Sequence, residues 1–273
     1  MPKLYIDEYT KSLAGKLVFI ACREGILRDH FSDILADIKF LNRQGIATTL
    51  FHNMSNRFSN QKHFKEIAKR LPETKVIRVL PDVDFYNFVL DYPAHVFKII
   101  FLERKYLIDH KGSKINAINT RRARDAFGGI ADLTANINFK DALEKIYHKI
   151  DAGNCDRVHI LPAGKHTIKH ELFTVEGAGS LIANNFQEDF RQVRTDEDVA
   201  IVHRILEMYK RSGFLKPRSK AYLKANRSRF YVTDIDGIVV GCVEQKIIDE
   251  KTVELGALAI STRFRNQRVG VHT

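Results

Sequence analysis

Cysteines and long apolar runs are scarce in this chain. Three cysteines, Cys22, Cys155 and Cys242, lie far apart in the 273 residues and lack the spacing of metal ligands. This usage is typical of a reduced, cytoplasmic protein. No apolar run approaches the roughly 20 residues that cross a membrane, and the sequence at 1–8 is too acidic and too broken for a signal peptide. We therefore expect a cytoplasmic protein that does not bind membranes.

The chain is basic, with 44 Lys and Arg against 33 Asp and Glu and a formal net charge of +11. A charge of this sign raises the hypothesis of a nucleic-acid partner. The basic residues are spread along the chain, with local clusters such as Arg121–Arg124, and no RNA-binding aromatic motif or helix-turn-helix pattern accompanies them. A basic surface that attracts anionic metabolites explains the charge equally well. We expect small-molecule partners and no nucleic acid.

Hydrophobic patterning predicts two domains, 1–190 and 191–273. In the first, apolar runs without alternation are separated by helical patterns, which is typical of a mostly parallel α/β sheet covered on both faces. Within it, 97–102 and 107–109 resemble a hairpin pair. In the second, a helix precedes an antiparallel meander with an Asp-Gly hairpin turn at 236–237. The predicted strands are 16–22, 46–52, 75–79, 97–102, 157–161, 230–233, 238–244 and 253–260, and the predicted helices are 31–43, 61–70, 141–150 and 196–211.

Two of the eleven histidines have the i, i+4 spacing of helical metal ligands. His166 and His170 could lie on one face of a helix and hold zinc. The pair runs directly into Glu-Leu-Phe-Thr at 171–174, which has the character of a strand. We therefore predict no metal site.

The end of the chain carries a motif with a physical role. An apolar strand that contains Glu254 runs into a basic loop, Arg265-Asn266-Gln267-Arg268-Val269-Gly270, at the expected start of a helix. Backbone N–H groups at a helix N-terminus and arginine side chains both bind diphosphates. The loop resembles the acetyl-CoA pyrophosphate loop of the GNAT N-acetyltransferases, Arg/Gln-x-x-Gly-x-Gly/Ala, with Arg268 in place of the first glycine. The alternative is an ordinary basic turn after a core strand.

The GNAT resemblance implies acetyl-CoA as co-substrate, with its diphosphate held by the loop from Arg265 to Gly270. The residues that would offer backbone groups to the pantetheine arm, as an added strand, are Leu258, Ala259 and Ile260. Glu254 would take the proton of the acceptor amine; the alternative is an exposed strand acid paired with a lysine. A complete acetyltransferase domain has further strands and a helix, so we expect the domain to continue beyond Thr273.

A second resemblance concerns the first domain. Residues 157–164 read Arg-Val-His-Ile-Leu-Pro-Ala-Gly, and residues 171–180 read Glu-Leu-Phe-Thr-Val-Glu-Gly-Ala-Gly-Ser. They resemble the Arg-x-His-Ile-Leu strand and the Glu-Leu-Phe-Thr-x-x-Gly-x-Gly-Thr segment of the amino-acid-kinase fold in acetylglutamate kinases and N-acetylglutamate synthases. Together, the two resemblances imply an amino-acid-kinase-like, mostly parallel sheet sandwich followed by a partial GNAT α+β domain.

The strand ends depart from the kinase pattern. Acetylglutamate kinases have a lysine and a pair of glycines at the end of the first strand, where this chain has Ala21, Arg23 and Glu24. The family's His-Gly-Gly-Gly after the second strand becomes His-Asn-Met-Ser at 52–55. Phosphoryl transfer depends on positioned backbone donors and cations, and side chains at glycine positions obstruct a close approach. We therefore expect a scaffold or a sensor without kinase activity.

The same resemblance implies an effector site in the first domain. In related arginine-regulated enzymes, arginine lies between the N-terminal helix and the Glu-Leu-Phe-Thr-x-x-Gly-x-Gly segment. The corresponding residues here are Tyr9, Glu171, Gly177 and Gly179. The alternative is that Glu171 pairs with the basic surface and the glycines only make a turn.

In the second domain, residues 215–219 read Leu-Lys-Pro-Arg-Ser and resemble the Leu-Val-x-Arg-Ser/Thr segment of N-acetylglutamate synthases. This implies that Arg218 binds a carboxylate of the acceptor through its fork of donors, with Lys216 as a weaker candidate. The domain order thus predicts an amino-acid N-acetyltransferase that moves an acetyl group from acetyl-CoA to an amine, with glutamate as the expected acceptor, a role in arginine biosynthesis and a homo-oligomeric state. The alternative is a non-catalytic, amino-acid-sensing regulatory protein.

Overall fold

The computed structural model describes residues 6–108, 112–120, 140–174, 176–186, 189–235, 238–264, 270 and 273. The chain divides into two compact units, Met1–Asn184 and Asn185–Thr273. The described helices of the first unit are α1 (Ile6–Leu13), α2 (Glu24–Asp29), α3 (Phe31–Arg43), α4 (Gln61–Arg70), α5 (Phe85–Asp91), α6 (Lys140–Asp151) and α7 (Thr167–Phe173). Its described strands are β1 (Leu17–Cys22), β2 (Ala47–His52), β3 (Lys75–Arg78), β4 (Val96–Glu103), β5 (Ala117–Asn119), β6 (Cys155–Pro162) and β7 (Ser180–Ala183).

The strands of the first unit form one seven-stranded sheet with the order β3-β2-β1-β4-β6-β7-β5. Neighbours from β3 through β6 are parallel, whereas β7 is antiparallel to β6 and parallel to β5. β1 and β4 lie in the middle of the sheet, which explains their apolar sequences without alternation. The predicted mostly parallel α/β sheet is confirmed.

One face of this sheet carries the largest apolar core. Phe19, Phe51 and Phe101 project from neighbouring strands into a cluster with Val89 of α5 and Ile146 of α6. All five side chains are buried, so this face is closed by helices that the apolar spacing places over it. The opposite side of the sheet is covered in part by α3 and α7, which contact β2 and β6 respectively.

Two local predictions for the first unit are wrong. β4 pairs with β1 and β6, so 97–102 does not form a hairpin with 107–109; Ile108 instead makes an isolated bridge to Lys114. Residues 171–173 lie in α7 rather than in a strand. The reason is tertiary, because the carboxylate of Asp37 accepts hydrogen bonds from two backbone N–H groups in the first turn of α7, at Ile168 and Lys169 (3.0 and 3.5 Å).

The second unit is an antiparallel sheet with helices. Its described elements are β8 (Asp189–Gln192), α8 (Asp196–Arg211), α9 (Lys220–Ala225), β9 (Phe230–Ile235), β10 (Ile238–Ile247) and β11 (Val253–Ile260), and its strand order is β11-β10-β9-β8. α8 begins with a capping box between Thr195 and Asp198, as polar residues at such positions favour. The meander β9-β10-β11 is confirmed. β8, which pairs with β9 and contains the expected boundary after residue 190, was not predicted from the sequence.

Among the described residues, no helix is both long and apolar enough to span a bilayer.

Candidate functional site

On one face of the sheet of the second unit, the glycine Gly256 leaves a position without a side chain between two carboxylates, and we call this position the gap. Glu244 of β10 is the register partner of Gly256 of β11, and Lys246 is the partner of Glu254. Positions two residues apart on a strand share a face, so these four residues lie on one face of the β10–β11 pair. Gly256 leaves its place empty, and a Cβ built there would lie 3.9 Å from both Glu244 Oε2 and Glu254 Oε1.

Glu244 is the buried member of this group, with none of its side chain exposed. Arg218 donates from Nε and Nη2 to Glu244 Oε2 (3.2 and 3.1 Å), and the hydroxyl of Tyr222 donates to Oε1. The hydrogen bond to Glu244, with some burial, raises the pKa of Tyr222. Because a carboxylate removed from water is costly unless it is well paired, these three donors explain how an acid is tolerated inside the strand.

Arg218 is positioned by the start of α9. Ser219 caps this helix by accepting a hydrogen bond from the backbone N–H of Tyr222 at 3.1 Å. The Arg218 guanidinium carbon lies 5.4 Å from the centre of the Tyr222 ring, and about a fifth of the side chain (19%) is exposed. The edge of the guanidinium that contains Nη1 makes no hydrogen bond to any residue that the structure describes. Lys216, two residues earlier, is exposed.

Glu254 is the solvent-exposed carboxylate beside the gap. Its side chain is 55% exposed, and Lys246 Nζ lies 3.6 Å from Oε1. An exposed pair of this kind contributes little to stability. The contact matches the alternative expected from the sequence, an exposed strand acid beside a lysine, and it leaves the carboxylate accessible to water and to a ligand.

A β-bulge follows Gly256 on β11. Cys242 pairs with Ala259 and Glu244 with Gly256, so Ala257 and Leu258 together oppose one residue of β10. Ala257 has φ of 51°, a left-handed conformation that is uncommon for a residue with a Cβ. β11 is also the last strand in the described sheet order. Its outer backbone edge at the bulge can therefore accept an extended ligand as an added strand.

The end of β11 leads to the predicted diphosphate loop. Tyr209 of α8 donates from its hydroxyl to the carbonyl oxygen of Ile260 at 2.8 Å, which fixes the end of the strand. Residues 265–269 lie outside the described residues. Gly270 is described, and a Cβ there would lie 3.4 Å from Cγ1 of Ile260. The assignment of this loop to a diphosphate stays a prediction.

In the first unit, the structure gives Glu171 internal partners. His159 Nδ1 lies 2.5 Å from Glu171 Oε1, and the backbone N–H groups of Ala178 and Gly179 donate to Oε2 (2.6 and 2.9 Å). A Cβ at Gly179 would lie 2.3 Å from the carbonyl oxygen of Ile160, so glycine is required there by the chain itself.

The other two residues expected at the effector site are Gly177 and Tyr9. Gly177 precedes Ala178 and Gly179 in the sequence, and Tyr9 contacts the end of α7. Gly177 has φ of 63°, a conformation that favours glycine. The Tyr9 ring is buried, 6.3 Å from that of Phe173, the last residue of α7. These contacts explain all four residues without a ligand, and arginine binding stays a prediction.

Side chains connect the strand ends where a kinase would bind phosphates. Arg23 Nη2 donates to Glu103 Oε2 at 2.9 Å, and Tyr86 donates to the other oxygen of Glu103. Glu24 accepts from the backbone N–H of Ser55 (3.0 Å) and from Asn60 Nδ2 (2.9 Å). The loops after β1 and β2 are thus joined by side chains where a kinase needs open backbone donors.

Within the described residues, no group of three or more His, Cys, Asp and Glu side chains is arranged to hold a metal ion. The rings of His166 and His170 lie 6.3 Å apart between their centres, at the start of α7.

The sequence predicted roles for Arg218, for Glu254 and for the backbone of β11. No role was predicted for Glu244 or Tyr222. A signal for Glu244 was present, since it follows the apolar run 238–243 and is a charged residue in a buried stretch. Tyr222 had no such signal, because its role depends on the fold that brings α9 against β10.

Comparison with known proteins is consistent with this geometry. Residues 188–272 match the model of the acetyltransferase (GNAT) family. An amino-acid acetyltransferase of Pseudomonas fluorescens is 31% identical over 122 residues, which are 43% of this chain and 28% of the relative. A similar enzyme of Vibrio cholerae is 29% identical over 103 residues, 37% of this chain and 23% of the relative. The match thus spans about a quarter of the length of these curated relatives.

The fold resembles that of solved structures over nearly the whole chain. N-acetylglutamate synthase from Neisseria gonorrhoeae, complexed with coenzyme A and L-arginine, superimposes with a TM-score of 0.59 at 15% identity, covering 98% of this chain and 85% of that chain. The same enzyme with coenzyme A and N-acetyl-glutamate gives 0.50 at 16% identity, covering 97% and 82%. The predicted fold class, a kinase-like parallel sheet unit followed by a GNAT unit, is confirmed.

Proposed function

We propose that this protein is an amino-acid N-acetyltransferase that uses acetyl-CoA. The observation that carries the proposal is the position of two carboxylates beside the gap at Gly256, directly before the bulge of β11, in a segment that matches the GNAT family. Glu254 is the accessible one, and Glu244 is the buried one that holds Arg218. The cation of Arg218, held by Glu244, and the accessible carboxylate of Glu254 suit an amino acid, which carries both a carboxylate and an amine.

The geometry suggests the order of events. The Nη1 edge of Arg218 binds a carboxylate of the acceptor by charge-assisted hydrogen bonds. The acceptor amine then lies near Glu254, which takes its proton directly or through water. The amine nitrogen attacks the thioester carbonyl carbon, the carbon–sulfur bond breaks, and the CoA thiolate leaves and is protonated. The outer edge of β11 at Leu258 binds the pantetheine arm, and the loop to Gly270 holds the diphosphate.

We further propose that the acceptor amino acid is glutamate. It is supported by the likeness of the fold to an N-acetylglutamate synthase solved with coenzyme A and N-acetyl-glutamate. By the same likeness, L-arginine is the candidate effector of the first unit, as it is present in the other complex of that enzyme. A homo-oligomer and a cytoplasmic location stay predictions.

The test is a screen of amino acids with acetyl-CoA on the full-length protein, in which release of the CoA thiol is measured for each acceptor. We expect turnover with a small set of amino acids that includes glutamate, and a large loss of kcat in Glu254→Gln with little change in the KM for acetyl-CoA. Absence of turnover with every amine, together with calorimetric binding of an amino acid, would instead support the non-catalytic regulatory hypothesis.

A further inference from the structure

Glu244 is a fully buried carboxylate that the proposed reaction does not use. It lies in the middle of β10, between Val243 and the half-buried Gln245, where an apolar residue would pack without the cost of removing a charge from water. The structure surrounds it with Arg218 and Tyr222, two polar residues from one short segment. Glu244 and its two partners therefore form a hydrogen-bonded group that connects β10 to the proposed acceptor site.

The hydrogen bonds of Glu244 fix the orientation of Arg218. Both Nε and Nη2 of Arg218 donate to the single oxygen Oε2, which sets the plane of the guanidinium group. The hydroxyl of Tyr222 holds the second oxygen, so the carboxylate cannot rotate without losing a partner. As a result, the edge of Arg218 that contains Nη1 is the edge left for a ligand within the described part of the chain.

The charge of Glu244 also reaches the gap. A Cβ at Gly256 would lie 3.9 Å from Glu244 Oε2, in ordinary van der Waals contact, and glycine provides no side chain to separate this carboxylate from an acceptor beside Glu254. A buried charge is poorly screened by solvent. An acceptor bound at Arg218 therefore experiences both the cation that binds it and the anion behind that cation.

We propose that Glu244 is a positioning and specificity-determining residue of the acceptor site, an inference that rests on the proposed function. Glu244 positions Arg218 by holding its Nε–Nη2 edge, so that the Nη1 edge meets the carboxylate of the acceptor. Its negative charge disfavours a second carboxylate on the acceptor side chain relative to a neutral side chain of the same shape. Glu244 thus sets how strongly the site distinguishes an acidic from a neutral amino acid.

The experiment compares glutamate with glutamine, two acceptors of nearly equal shape that differ by one charge. The variants are Glu244→Gln, which keeps the shape and removes the charge, and Tyr222→Phe, which keeps the charge and removes one hydrogen bond. The matched control is Glu250→Gln, an equal loss of charge at an exposed residue of the β10–β11 turn. For each protein, kcat and KM are measured for both amino acids, with an inhibition constant in place of KM where an amino acid is bound but not acetylated.

We expect Glu244→Gln to shift the ratio of kcat/KM for glutamate over glutamine toward glutamate by roughly five- to thirty-fold. This is the effect of removing the unit charge of Glu244 at roughly 8 Å from the side-chain carboxylate of a bound glutamate, in an effective dielectric of about 20 to 40. Tyr222→Phe should raise the KM for both amino acids by the same factor and leave the ratio unchanged. Glu250→Gln should change neither quantity, and all three variants should keep the KM for acetyl-CoA.

An unchanged ratio in folded Glu244→Gln, checked by circular dichroism, overturns the proposal while leaving the acetyltransferase function in place. An equal loss for both amino acids would likewise overturn the role of Glu244 in distinguishing acidic from neutral acceptors. Should Glu244→Gln fail to fold, Tyr222→Phe remains decisive, because an unchanged KM for both acceptors would contradict the positioning role. If the wild-type protein acetylates no amino acid, the proposed function fails, and the inference that rests on it fails too.

Discussion

Arg191 of β8 makes a two-pronged ion pair with Asp198 in the first turn of α8, from Nη1 to Oδ2 at 2.8 Å and from Nη2 to Oδ1 at 2.9 Å. Its Nε donates at the same time to Asp234 Oδ2 of β9 at 2.9 Å. The hydrogen bonds to Asp198, followed by the attraction of both acids, raise the pKa of Arg191 despite its partial burial. One side chain thus joins two strands and a helix of the second unit.

The first prediction concerns this arginine. Arg191→Met should lower the free energy of unfolding by about 3 kcal/mol, because it leaves two nearly buried carboxylates without their cation. Urea denaturation followed by far-ultraviolet circular dichroism measures the change. The control is Lys224→Met, which removes a cation from the exposed Asp196 and should leave the unfolding midpoint almost unchanged. Equal midpoints for the two variants would contradict the structural role of Arg191.

The second prediction concerns pH. Burial, helped by the nearby Arg78, lowers the pKa of His52 to about 4. The unfolded chain takes up this proton near the usual histidine value of about 6.5. Between these two pH values the unfolded state binds more protons, so stability is complete above about pH 6.5 and is lost as the pH falls toward 4.

His52→Gln should remove this contribution. We expect the difference in the free energy of unfolding between pH 5 and pH 7 to be smaller in the variant than in the wild-type protein, by up to about 2 kcal/mol. Urea titrations at the two pH values measure it. His52 Nδ1 also accepts the backbone N–H of Met54 at 3.2 Å, so a uniform loss of stability at both pH values is expected in addition. An identical pH dependence in the two proteins would disprove the assignment.

The sequence predicted the elements that depend on local patterning. The helix at 31–43 and the strand at 253–260 have the predicted bounds, because their apolar periodicity and the Gln44-Gly45 end signal are local. Residues 171–173 were misread because the apolar run Leu172-Phe173 fits a strand or a helix equally. The choice of helix depends on Asp37, more than a hundred residues earlier.

The residues of the candidate site also fall into those that local sequence motifs predict and those whose role depends on the fold. Arg218 and Glu254 could be found from short motifs, since each lies in a recognisable segment. Glu244 could not be assigned a role from the sequence, because its meaning comes from Arg218 and Tyr222, which are brought to it by the fold. The bulge at Ala257 is likewise a property of strand register that the apolar pattern of β11 does not reveal.

The third prediction is that the first unit has no kinase activity. Arg23 and Glu24 are engaged with Glu103 and Ser55 at the strand ends, where phosphoryl transfer needs open backbone donors and a free cation. Incubation with ATP and N-acetylglutamate should release no ADP above background. Turnover that disappears on substitution of Arg23 would refute this prediction.

The fourth prediction is that Arg218→Ala raises the KM for the acceptor by roughly ten- to a hundred-fold, the range expected for loss of a charge-assisted hydrogen bond of about 1.5–3 kcal/mol. The KM for acetyl-CoA should change far less. Lys251→Ala, at an exposed cation in the turn before β11, is the control for loss of positive charge. Because Arg218→Ala also leaves Glu244 buried and unpaired, the fold is checked by circular dichroism. Equal effects on both substrates would count against Arg218 as the carboxylate-binding residue.

The fifth prediction concerns Gly270. If the loop from Arg265 to Gly270 holds the CoA diphosphate, the phosphates approach the backbone closely, and a branched side chain at Gly270 blocks them. A Cβ built at this position would lie 3.4 Å from Cγ1 of Ile260 at the end of β11, which is van der Waals contact.

Gly270→Val should therefore abolish binding of acetyl-CoA in a calorimetric titration of the full-length protein, while far-ultraviolet circular dichroism remains that of a folded chain. Arg268→Gly, which restores the commoner GNAT pattern, is the matched variant and should still bind, because backbone N–H groups supply most of the contact with the phosphates. If Gly270→Val binds acetyl-CoA as tightly as the wild-type protein does, the loop does not hold the diphosphate, and the regulatory hypothesis becomes the better account of the chain.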